Sequence, residues 1–410
     1  VGYIIKTSAV YIAVFLMRFS FAFTVVAIQW LVPVQVERGI ISSAYPAMEM
    51  VTAFFFGLLA DKLGRKWIIV GALLASSFIT YSFTLTRDLA YLTVIHGLQG
   101  ICAAAIVTST LALLADYAKL QTRGREMGIY DFSTIGGYGI GFGFALAIVA
   151  GNPARALEPF YAGAIVAVIG AIISALILKD TKSRRTQSVS MRENWRSITS
   201  SRPIFALIPV WFVLMTLIGA GLTFTRELAS ALLPSAFQFL VAGQNSLRPG
   251  FALRVGILEI LLLLVGSVLL GFTQSSFGSL SDRFGRAKII LIGEISLLGV
   301  VLTLASALTF KGLDRLGFAV LVAIFGVGIL AFTPAALAEL ADVSPVTGRG
   351  STMGLYSLTV GAGTVFGPLA GGFLISAFGI GTGLSALFVI CAIILLFVLV
   401  PRFMRHAHSR

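Results

Sequence analysis

Charge is scarce in this sequence. Asp, Glu, Lys and Arg make up 11% of its 410 residues, less than half the share of an ordinary soluble domain, so too little polar surface exists to clothe a water-soluble fold. Histidine and cysteine are scarcer still, at 3 and 2, which leaves neither a disulfide framework nor a cluster of metal ligands. Cys102 and Cys391 both fall inside apolar stretches and read as small buried hydrophobes. The densest glycine run, Gly137-x-Gly139-x-Gly141-x-Gly143, follows no predicted strand, so it does not read as a phosphate-cradling loop. No ATP-driven pump, enzyme, cofactor or metal is expected.

Apolar residues fill the space that charge leaves. They make up 58% of the chain, and the mean hydropathy is +0.97. Runs of about 20 residues recur from end to end, each long enough as a helix to cross a hydrocarbon layer of ~30 Å. Twelve such spans are predicted, near residues 8–33, 40–60, 67–86 and 89–115, then one starting after Arg125, then 159–178, 204–225, 256–279, 289–309, 317–340, 352–376 and 381–400. The first is expected to stay on the protein, since no small-residue cleavage site follows a short apolar core. The outer segment 227–253 is left open between a continued helix and an interfacial stretch.

The net charge of +13 is explained by where the cations lie. With the N-terminus inside, the inner loops collect Lys62, Arg65, Lys66, Arg123, Arg125, Lys179, Arg184, Arg185 and many more, while the outer side keeps few. Such a bias places both termini in the cytoplasm and calls for no nucleic acid. Residues 179–202 form the one long polar inner segment, and Ser190-Met191-Arg192-Glu193 within it fits a capping box, so a short surface helix is expected there.

The chain also repeats itself. Gly57-Leu58-Leu59-Ala60-Asp61-Lys62-Leu63-Gly64-Arg65-Lys66 returns as Gly278-Ser279-Leu280-Ser281-Asp282-Arg283-Phe284-Gly285-Arg286, offset by 221 residues. Asp116, Arg123 and Gly124 return as Asp342, Arg349 and Gly350, offset by 226. Gly64 and Gly285 permit a tight reversal that a bulkier residue would resist. Asp61 and Asp282 stand where a helix leaves the bilayer. There a carboxylate can accept from free helical N–H groups, and the adjoining cations can hold a second carboxylate. Together these groups would form a conformational latch, besides marking the cytoplasmic side.

These two loops resemble the G-x-L-a-D-r-x-G-r-k signature of the major facilitator superfamily. The resemblance covers the whole chain and implies an all-α polytopic membrane protein of twelve transmembrane helices in two six-helix bundles related by pseudo-twofold symmetry. Residues 1–178 are expected to form the first bundle, 179–202 the linker and 203–410 the second. The family fold further implies a cavity lined by spans one and seven, with Trp211 and Tyr356 on it, and a smooth seam between the bundles made by Gly137, Gly141, Gly363 and Gly367. Leu92-x-x-x-His96-x-x-Gln99-Gly100 resembles another family signature, with His96 where the family has arginine. Gly367-Pro368-Leu369-Ala370-Gly371-Gly372 resembles the antiporter signature, but that signature belongs in span five, where Phe142 replaces the proline.

An ionisable group in hydrocarbon costs roughly 2.5–3.5 kcal/mol on insertion scales, so it faces a partner or a wet cavity. Arg18, Glu49, His96 and Asp131 are such groups, and all lie in the first half. Arg18 is expected to pair with Glu49 or Asp131, as a structural ion pair or as part of a proton or substrate site. His96 reads either as a packed neutral ring or as a proton site. The expected function is proton-coupled export of a small hydrophobic or amphipathic compound by a monomer in the plasma membrane. Uptake of an organic anion, with Arg18 as counter-ion, and a receptor without turnover stay open beside it.

Overall fold

The computed structural model describes residues 2–117, 123–149, 153–179, 202–232, 266, 269–274, 276–310, 315–343 and 349–408. Among them the regular structure is helical and no strand occurs. The first half holds α1 (Gly2–Leu31), α2 (Gln35–Leu63), α3 (Arg65–Ser82), α4 (Leu89–Tyr117), α5 (Arg123–Val149) and α6 (Glu158–Ile177). The second holds α7 (Arg202–Thr223), α8 (Thr225–Leu232), α9 (Arg286–Thr309), α10 (Arg315–Ile329), α11 (Phe332–Val343), α12 (Arg349–Phe378) and α13 (Ile380–His408). Residues 276–284 are helical as well, on the eighth predicted span. The surface helix expected near Ser190 and most of the outer segment 227–253 lie outside the described residues.

Nine helices are long and apolar enough to cross a membrane among the described residues. The tenth predicted span is broken into α10 and α11 at Leu330 and Ala331. Pro334 explains the break: it lacks an N–H, and its ring would collide with the Leu330 carbonyl of a continuous helix. The chain bridges the gap with tighter bonds, from Leu330 N–H to the Val327 carbonyl at 3.2 Å and from Ala331 N–H to the Gly328 carbonyl at 3.1 Å.

The described helices fall into two compact units: the first contains α1–α6 and also takes in residues 269–271, and the second contains α7–α13. Within the first, α1 packs on α5 and α6, α3 on α4 and α6, and α2 on α4. The second repeats the scheme, with α7 on α12 and α13, and α9 on α13, α10 and α11. Its core is one continuous cluster around Trp211, Phe224, Phe332 and Phe388.

The repeat extends to individual backbone contacts. A Cβ on Gly137 would stand 2.5 Å from the Phe15 carbonyl oxygen, and one on Gly141 2.5 Å from that of Phe19. In the second unit Gly363 meets the Phe212 carbonyl at 2.5 Å and Gly367 that of Thr216 at 2.2 Å. Only glycine allows helices to come so close. These glycines press α5 onto α1 and α12 onto α7, each inside its own unit.

The turn between α2 and α3 also recurs. Gly64 has φ 89° and Gly285 φ 90°, a region that side chains with a Cβ rarely enter. Each residue ends one helix and opens the next.

Candidate functional site

Arg18 lies midway along α1, opposite Gly137, whose missing side chain makes room for it: a Cβ there would be 3.0 Å from the Arg18 Cβ. From that position the guanidinium reaches three side chains on two other helices. Its Nη1 donates to the Tyr45 hydroxyl on α2 and to the Tyr138 hydroxyl on α5, each at 3.1 Å. Its Nη2 stands 3.6 Å from Glu49 Oε1, and its central carbon lies 5.2 Å from the centre of the Tyr138 ring. Tyr45 and Glu49 are four residues apart on α2 and so share a helix face.

The distances divide the cluster. The close hydrogen bonds of Arg18 go to neutral phenols, while the carboxylate sits just beyond hydrogen-bond range. Side-chain exposure is 12% for Arg18 and 25% for Glu49, so the acid is the more accessible of the pair. A buried charge pair needs extra hydrogen bonds to offset its desolvation, and the two phenols supply them. Sequence reasoning anticipated Arg18 with Glu49 and missed both tyrosines. The i, i+4 spacing of Tyr45 to Glu49 was a usable signal; the position of Tyr138, one residue after Gly137, acquires meaning only from the packing.

The other anticipated residues separate. Asp131 lies two turns before Tyr138 on α5, is exposed on its unit, and makes no ion pair with Arg18 among the described residues. His96 is buried, and its Nδ1 lies 2.7 Å from the Ile41 carbonyl oxygen, which fixes that nitrogen as the donor. Its ring packs between Tyr45 and Phe83, with centroids at 5.4 and 5.8 Å. The arrangement is that of a packed, hydrogen-bonded imidazole joining α2 to α4. Gln99 donates to Thr24 Oγ1 at 3.1 Å and to Thr80 Oγ1 at 3.0 Å, linking three helices inside the first unit. Trp211 does not face a cavity in its unit: it is 1% exposed and packs edge-on against Phe332. The side chain of Tyr356 lies outside the described residues.

At the loop expected to form a latch, Arg65 donates to the Asp116 carboxylate and to the Ala112 carbonyl, the latter at 2.8 Å. The guanidinium thereby serves the C-terminal turns of α4, where a cation is favoured. In the second unit Arg286 stands 3.9 Å from Asp282, a largely exposed partner. Gly278 lies on the helix before that turn. The side chains of Asp61, Asp342 and Arg349 and the surroundings of Gly57 lie outside the described residues. A contact that sequence reasoning missed joins the same end of α1 to α5, where the Tyr11 hydroxyl donates to the Glu126 carboxylate.

The sequence model described as Major Facilitator Superfamily matches residues 10–276 and 250–409. The chain belongs to the major facilitator superfamily. As a member it resembles Multidrug resistance protein 2 of Bacillus subtilis (strain 168), with 26% identity over 341 residues, covering 82% of this chain and 79% of that one. An uncharacterized MFS-type transporter of Methanocaldococcus jannaschii is 24% identical over 374 residues, covering 89% of each. The quinolone resistance protein NorA of Staphylococcus aureus is 24% identical over a shorter stretch of 169 residues, or 39% of this chain and 42% of that one.

Solved structures agree on the architecture. The nucleoside transporter NupG superposes with a TM-score of 0.67 at 15% identity, over 96% of this chain and 98% of that one. A bacterial homolog of the human lysosomal transporter Spinster does so with a TM-score of 0.71 at 14% identity, over 98% and 96%. The chain is thus an all-α integral membrane protein with the twelve-helix fold of two six-helix bundles, in a family of small-molecule transporters.

Proposed function

We propose that this protein is a secondary transporter working by alternating access, and that it exports a small hydrophobic or amphipathic compound in exchange for protons. One observation carries the reading: Glu49, on the second predicted span, lies 3.6 Å from Arg18 and is partly exposed. A carboxylate so placed can exchange its arginine for a proton, at a cost that the neighbouring phenols reduce. Two matched relatives are named for resistance, one to multiple drugs and one to quinolones, which favours export. Asp131 is a second proton acceptor in this reading. The Arg65–Asp116 contact is the part of the latch that holds one conformation.

A second reading, uptake of a small organic anion, is favoured by the Arg18 Nε, which is buried and has no acceptor among the described residues. The remaining assignments belong to the same proposal: bundles at 1–178 and 203–410 joined by 179–202, both termini in the cytoplasm, and a monomer as the working unit. Flux in proteoliposomes under an imposed pH gradient separates the readings. Movement of an amphipathic dye such as rhodamine 6G against the inward flow of protons supports exchange. Movement of an organic anion along with protons supports uptake. Saturable binding of either without flux replaces both readings with a receptor.

A further inference from the structure

The tightest contacts of Arg18 are made with groups that carry no charge. If the guanidinium served only to neutralise Glu49, the two would be expected at hydrogen-bond distance, near 2.8 Å. Instead Nη2 stays 3.6 Å from the carboxylate, and Nη1 is shared between two phenols at 3.1 Å each. The Tyr138 ring also lies against the guanidinium, with its centre 5.2 Å away, where the electron-rich face attracts a cation. Arg18 therefore keeps two acceptors and a ring whether or not Glu49 is ionised.

We propose that Tyr138, assisted by Tyr45, is a positioning residue that holds Arg18 in place while Glu49 changes partner. This rests on the proton-exchange role given to Glu49 above. When Glu49 is neutral, an arginine without other acceptors would be stranded in hydrocarbon, and the protein would resist that state. With the phenols present, the guanidinium stays hydrogen-bonded and the acid is free to exchange. The groups facing Glu49 are Arg18 from α1, Tyr45 from its own helix and Tyr130 from α5. From α4, the His96 ring lies tilted against Tyr45.

Tyr138 is the cleaner handle, because Tyr45 lies one turn from Glu49 on the same helix and also touches it electrostatically. Tyr138→Phe keeps the ring and removes only the acceptor. Without that acceptor Arg18 turns toward Glu49, and a proton must compete harder for the carboxylate.

The test needs no substrate. In detergent-solubilised full-length protein, the infrared band of protonated carboxyls is followed across pH, and the part belonging to Glu49 is defined as what Glu49→Gln removes. The expected result is a Glu49 band whose midpoint in Tyr138→Phe moves toward acid by at least half a pH unit. Tyr138→Gln, which restores a neutral acceptor, should recover at least half of that shift. A Glu49 band with the same midpoint in wild type and Tyr138→Phe overturns the positioning role and leaves the proton-exchange reading standing. Absence of any titrating Glu49 band overturns both. If Tyr138→Phe does not fold, a Tyr45→Phe midpoint equal to that of wild type overturns the proposal, and an acid shift supports it.

Discussion

The α1 residue that faces Gly137 in the first unit is Arg18, whereas the α7 residue that faces Gly363 in the second is Met215. The other members of the cluster diverge in the same way. Tyr138 corresponds to Thr364, whose hydroxyl turns back onto the Val360 and Gly361 carbonyls of its own helix. At the offset of the repeated loop, Tyr45 and Glu49 correspond to Gly266 and Leu270. Yet the pairing of α1 with α5 recurs as that of α7 with α12, through the same glycine-to-carbonyl contacts. The second unit shows that this packing forms without any charged cluster. The cost of burying Arg18 and Glu49 in the first is therefore not a requirement of the fold, which points to function.

Writing the residues at the repeat-equivalent positions of the second half of the sequence into the first tests that comparison most severely. Arg18→Met leaves Glu49 without its cation and should cost about 3 kcal/mol or more in a detergent unfolding assay. Arg18→Met combined with Glu49→Leu should return to within about 1 kcal/mol of wild type, because a charge pair replaced as a whole by apolar groups is close to neutral. Both proteins should lose gradient-driven transport. A double variant as unstable as the single one would mean that the cluster is structural after all.

A smaller effect separates two equivalent glycines. A Cβ on Gly100 would stand 2.2 Å from the Tyr45 carbonyl oxygen, whereas one on Gly326 meets nothing within 4 Å among the described residues. Gly100→Ala must push α4 off α2 and should lose about 2–3 kcal/mol. Gly326→Ala should be neutral or gain up to ~1 kcal/mol from helix propensity. Thermal melts of the two variants decide the point, and equal losses would break the contrast.

The mildest prediction concerns His96, which corresponds to Val322 in the second unit. His96→Gln should cost about 1–2 kcal/mol through its buried hydrogen bond and leave the pH profile of transport unchanged. A flattened profile would move His96 from the packing to the proton path.

Much of this was legible from residue order. Apolar runs of membrane-spanning length and the duplicated loop with Gly64 and Gly285 follow from local rules, because each depends on neighbours in sequence. Arg18 and Glu49 stood out since an ion in an apolar run always needs an explanation. Tyr45 and Tyr138 did not, because phenols are ordinary in apolar helices and gain a role only when three helices converge. The glycines of α5 and α12 were recognised as close-packing residues, but that α1 and α7 are the helices they admit was not legible: spacing along one helix does not say which neighbour approaches it. The burial of Trp211 against Phe332 was hidden for a similar reason, since membership of α7 does not fix which face of the helix is buried.

The central claim is that proton coupling belongs to the first unit, and one paired measurement addresses it directly. In proteoliposomes carrying the same pH gradient, transport is compared between Glu49→Gln and Glu294→Gln, the latter removing a carboxylate buried on α9 of the second unit. The account predicts that Glu49→Gln abolishes gradient-driven movement and that Glu294→Gln retains it. Coupling that survives in Glu49→Gln, or disappears in Glu294→Gln alone, would contradict it.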